Sequence, residues 1–68
     1  MNRRARIGQK TAELYQAVQQ TIAFLRMAAV QARHIADDAP DVAVLLRVLA
    51  DKLDAEADDL ARLAQATD

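Results

Sequence analysis

The 68 residues make one small domain, and a chain this short buries too little of itself to be comfortable without a disulfide, a metal or a second chain. Cysteine and serine are absent and there is one histidine, which removes disulfides, thiolate metal sites and the usual nucleophiles. An apolar content of 53% with a net charge of −1 argues against a disordered chain, and the dominance of alanine, leucine and valine favours helix over strand.

Residues 1–10 carry Arg3, Arg4, Arg6 and Lys10 together with the only glycine, Gly8. Glycine costs about 1 kcal/mol in a helix interior, so this stretch reads as a basic overhang, frayed or helical only when bound. Gln9, Lys10, Thr11 and Glu13 stand where a signal peptide needs an apolar run. No segment approaches the roughly 18 apolar residues of a membrane span. A soluble cytoplasmic protein without a membrane partner is expected, and the bias to Arg, Asp and Ala points to a bacterial or phage source.

Residues 11–68 read as a single helical-hairpin domain. In its first helix, about 11–36, Tyr15, Val18, Ile22, Leu25, Ala29, Ala32 and Ala36 recur at steps of three and four, one stripe of a helix. Leu14, Thr21, Ala28 and Ile35 widen that stripe on one side. The break follows at Asp37-Asp38-Ala39-Pro40-Asp41. Pro40 is excluded from a helix interior but suits a first turn. Asp38 is the expected N-cap, with Asp41 as its capping-box partner. A turn at about 37–40 dictates an antiparallel pair. In the second helix, about 40–66, Val42, Leu46, Leu49, Leu53, Glu56, Leu60 and Leu63 form the stripe, flanked every seventh residue by Ala43, Ala50, Ala57 and Ala64. Alanines at that spacing make a surface for close helix contact. The fold class is therefore all-α: an antiparallel helical hairpin, dimerising into a four-helix bundle.

Dimerisation is expected because apolar residues exceed what one partner helix covers. Phe24, Met27, Val30, Val44 and Val48 lie off both stripes and mark a dimer or protein-binding interface. Within the seam, Glu56 is the one charge. A lone buried carboxylate is expensive, and Arg26 is its natural partner, so the two read as a polar pair that fixes register. Residues 1–36 hold six basic side chains against one acidic, +5, and residues 37–68 hold three against nine, −6. These read as complementary helices. Asp51, Asp54 and Asp58 share one face and read as solvated rather than metal-binding, and His34 as a surface residue near a helix end.

No catalytic constellation, cofactor motif or small-molecule pocket is implied, and the chain reads as a non-enzymatic module that binds and regulates another protein: an inhibitor, anti-activator, adaptor or chaperone. In length and hairpin layout it is similar to the Rop-type plasmid copy-number regulators, dimeric hairpins that bind RNA loops. That resemblance implies a second reading, a dimer that binds RNA or DNA, and the basic run Arg3, Arg4, Arg6 and Lys10 independently offers the phosphate contacts. Against it stand the slightly acidic net charge and the absence of aromatics among these basic residues.

Overall fold

A computed structural model describes the backbone of residues 3–66 and the side chains of residue 8 and residues 10–66. Helix α1 spans Arg3–Asp38, a 3₁₀ turn follows at Pro40–Val42, and helix α2 spans Ala43–Ala66. The two α-helices pack against each other as an antiparallel hairpin, 59 × 18 × 10 Å in its Cα extents. The smallest dimension is that of a single layer of helices, whereas domains ordinarily bury apolar faces between two layers.

The hairpin is longer and its turn tighter than the sequence suggests. Helix α1 runs through Gly8 to Arg3 rather than beginning near residue 11. It also continues to Asp38, so Asp38 ends the first helix instead of capping the second. Ala39, at φ −132° and ψ 76°, is the only non-helical residue between them and offers no side-chain cap. The backbone caps itself: Val42 N–H donates to the Ala39 carbonyl at 3.1 Å and Ala43 N–H to that of Pro40. Pro40, lacking an N–H, fits the first position of the 3₁₀ turn, where no donor is needed. Asp37 and Asp38 lie at the negative end of the α1 dipole, an unfavourable place for carboxylates. Arg47 answers one of them with a 3.0 Å ion pair to Asp37.

The seam follows an uninterrupted heptad. In α1 it comprises Val18, Ile22, Leu25, Ala29, Ala32 and Ala36; in α2 it comprises Ala43, Leu46, Ala50, Leu53, Ala57, Leu60 and Ala64. Every one is buried or half-buried. Numbered as heptad positions a and d, the phase passes through the turn without a slip, from a at Ala36 to a at Ala43. The α1 seam is the one expected from Val18 onward. In α2 it is rotated by one residue: the alanines line the contact, while Val42, Leu49, Glu56 and Leu63 are exposed. Two seams of three-four spacing compete in α2, and only the alanine one is free of charge, so it wins by the cost of burying Glu56. The cluster of Ala29, Ala32 and Ala50, with Leu46 and Leu53 packed on it, is the centre of the contact.

Candidate functional site: two unlike faces of the hairpin

The heptad sorts the remaining side chains onto two broad faces. Positions b and e of both helices share one side of the slab and positions c and g the other, because reversing one helix reverses its sense of rotation.

The b/e face is charged and internally paired. Arg26 reaches Asp58 at 3.0 Å, Arg33 reaches Asp51 at 2.9 Å and Asp54 at 2.8 Å, and Arg47 reaches Asp37. From Arg26–Asp58 to Arg33–Asp51 the chain advances seven residues on α1 and retreats seven on α2. From there to Asp37–Arg47 it advances and retreats four. A ladder with that step is the signature of an antiparallel heptad register. Hydrogen bonds to Asp51 and Asp54 push the Arg33 guanidinium further toward its charged form. The pairs are solvent-exposed and so specify register more than they add stability. On α2, Arg62 pairs with Asp59 one turn away.

The c/g face is apolar and has no cover. Its α1 half presents Leu14, Ala17, Thr21, Phe24, Ala28, Gln31 and Ile35, with Asp38 at the turn end; its α2 half presents Val42, Leu45, Leu49, Lys52, Glu56, Asp59 and Leu63. Phe24 is 74% exposed, Leu45 69% and Leu49 45%. Thr21 turns its hydroxyl inward, donating to the Ala17 carbonyl at 3.1 Å, a bond within its own helix that leaves the methyl to the face. Inside Asp38 the face is apolar from the turn to about its middle; Lys52, Glu56 and Asp59 make the far part of the α2 side polar.

The residues singled out by sequence are thus dispersed. Phe24 belongs to the c/g face. Val30 and Val44 are b positions on the charged face, and Met27 and Val48 are f positions on the outer backs of α1 and α2, all four exposed near the turn. Gln20, Ala23, Phe24 and Met27 line a shallow depression on the outer side of α1. The expected Arg26–Glu56 pair is not formed: Arg26 sits on the b/e face with Asp58, and Glu56 is exposed on the opposite face. The two cannot meet with the seam between them. Lys10 is exposed; the side chains of Arg3, Arg4 and Arg6 lie outside the described residues. Sequence reasoning missed Leu14, Ile35, Leu45 and Leu49 as members of one exposed face. The signal was present in the sevenfold spacing of residues 14, 21, 28, 35, 42, 49, 56 and 63.

Among the described residues, no helix is long and apolar enough to cross a membrane, and no group of three or more His, Asp or Glu is placed to hold a metal ion. Comparison with known proteins returns no match, whether to family models, curated proteins or solved structures.

Proposed function

We propose that this chain is a non-enzymatic, cytoplasmic protein-interaction module, a homodimeric four-helix bundle that binds and regulates a further protein as an inhibitor, anti-activator, adaptor or chaperone. One observation carries the reading: the hairpin is inverted in size. Its buried residues, among those described, are six alanines and Ile22; the seam leucines and Val18 are half-buried, and twelve large apolar side chains, Phe24, Val44 and Leu45 among them, are exposed. An alanine contributes one methyl, about 0.8 kcal/mol when buried, against about 1.5–3 kcal/mol for a leucine, valine or phenylalanine. Much of the apolar free energy of this sequence is therefore still to be gained, and protein association is how it is gained.

The two faces divide the work. The c/g face is broad enough for a second hairpin, and closing it still leaves Met27, Val30, Val44 and Val48 exposed around the turn to meet a regulated partner. Sedimentation at several salt concentrations tests the reading. Apolar association persists from low to moderate salt, whereas binding carried by Arg3, Arg4, Arg6 and Lys10 to nucleic acid weakens steeply with log salt. A protein that sediments as a monomer at all concentrations refutes the homodimer. Val48→Asp, on the outer back of α2, should leave the dimer intact and abolish retention of the regulated partner.

A further inference from the structure

The c/g face has a polarity along its length, and that polarity selects both its occupant and the occupant's direction. Resting on the homodimer reading above, we infer that a second copy of the chain covers this face with the two turns at the same end, so that α1 of each copy lies antiparallel on α2 of the other.

Area sets the scale. The chain exposes 5613 Å², whereas a compact monomer of 7.5 kDa exposes about 4,200 Å². The surplus of about 1,400 Å² exceeds the roughly 800 Å² that each partner buries in a standard interface and is of the size found where two halves of one core meet.

Two twofold axes can stack the faces. An axis across the helices sets α1 on the partner's α1 and α2 on the partner's α2, with turns at opposite ends. Lys52, in the middle of the α2 half, then meets the partner's Lys52. Worse, the apolar half of α2 slides onto the polar half: Leu49 faces the partner's Glu56 and Leu45 faces the partner's Asp59. A carboxylate desolvated against leucine is among the most costly contacts available.

An axis along the helices eases both conflicts. Lys52, Glu56 and Asp59 lie on the partner's α1, whose side of the face from Leu14 to Ile35 carries no charge. At matched heights Ile35 faces the partner's Val42, Ala28 the partner's Leu49 and Leu14 the partner's Leu63, so that large meets small or apolar meets apolar. Glu56 comes to the height of the partner's Thr21, in the half nearer the open end, and Lys52 to that of the partner's Phe24, whose ring face suits an ammonium. The cost is like charge at the two ends, Asp38 and Asp41 from each copy at the turn end and the basic starts of both α1 helices at the other, where solvent and salt screen it. Desolvation of buried carboxylates outweighs screened repulsion at a surface.

The chain has no cysteine, so a single label reports the direction. Asp38→Cys, exposed at the end of α1, is spin-labelled in the full chain, its mass measured by light scattering, and the inter-label distance read by pulsed electron resonance. With turns together the labelled helices are diagonal neighbours, about 1.4 interaxial spacings apart, and the outward label arms bring the labels to on the order of 20 Å; with turns opposed they stand at least the length of α2 apart, about 36 Å. A dimer with the short distance supports the inference. A dimer with the long distance overturns the direction and leaves the dimer standing, whereas a monomer overturns both. Leu49→Glu, exposed in the single hairpin, should convert the dimer to monomer; a labelled Leu49→Glu chain that stays dimeric with the short distance would show that a different face is used.

Discussion

Ala50→Leu tests the alanine seam most directly. Ala50 and Ala29 are both fully buried and belong with Ala32 to the central cluster. A leucine adds three carbons at that point. Were there room, its transfer from water would favour the variant by about 2 kcal/mol at about 0.8 kcal/mol per carbon. The helices meet at alanine, so the added carbons instead force the helices apart or the side chain off its rotamer, at about 1–3 kcal/mol. A 68-residue domain has about 3–10 kcal/mol in all at 0.05–0.15 kcal/mol per residue. At about 4–8 °C per kcal/mol, the thermal midpoint should fall by on the order of 10 °C. Ala55→Leu is the control: same helix, same change, exposed side, and within about 0.5 kcal/mol of the parent. Helical circular dichroism on heating reads both, at one protein concentration because association shifts the midpoint. An Ala50→Leu chain as stable as the parent, or more so, would refute the alanine contact and restore Leu49 to the seam.

Three further outcomes are expected. Glu56→Leu removes the charge from the open apolar face and should raise the thermal midpoint and tighten association; a sharp fall would show that Glu56 is well paired in the assembled protein. Gly8→Ala should lengthen the ordered part of α1, because a Cβ there meets nothing within 4 Å and no glycine has positive φ; a gain of about 0.5–1 kcal/mol in local helix stability would appear as slower amide exchange around residue 8, and unchanged exchange would count against helix at that point. Arg33→Ala breaks the pairs to both Asp51 and Asp54, yet the group is solvent-exposed, so the loss should be smaller than that of Ala50→Leu and should disappear in high salt; a salt-independent loss would mean that Arg33 packs through its stem instead.

The two helices, their antiparallel sense and the α1 seam were legible because periodicity, Pro40 and a short connection each restrict the chain strongly. The α2 seam was not, for a reason specific to alanine. Reading by size favours Leu49, Leu63 and Val42, and those residues do recur at three-four spacing. The competing set, Ala43, Leu46, Ala50, Leu53, Ala57, Leu60 and Ala64, has the same spacing and less bulk. What separates them is Glu56, which falls in the first set and not in the second. Assigning it a buried partner in Arg26 kept the wrong seam, whereas asking which seam carries no charge finds the right one. The capping of α2 failed differently. Asp38 has the chemistry of an N-cap, but α1 runs on through it, and its side chain is needed at neither terminus once Val42 and Ala43 bond back to Ala39 and Pro40.

The opposite charges of the two segments act first within the hairpin. Arg26, Arg33 and Arg47 meet Asp58, Asp51, Asp54 and Asp37 on one face only. Exposed pairs of this kind stabilise little, but a ladder that steps by seven and four on both helices penalises any slip of register or rotation of either helix. Fixing the rotation in turn commits Leu14, Phe24, Ile35, Val42, Leu45 and Leu49 to the opposite side, where the hairpin leaves each of them exposed in part or in large part. The ion pairs thus matter less for the energy they contribute than for the face they leave open. In the proposed dimer the charge left over repeats the same discrimination between chains: inside Asp38 at its turn end the near half of the open face carries no charge, its far half on α2 is polar, and a partner that fits must match both.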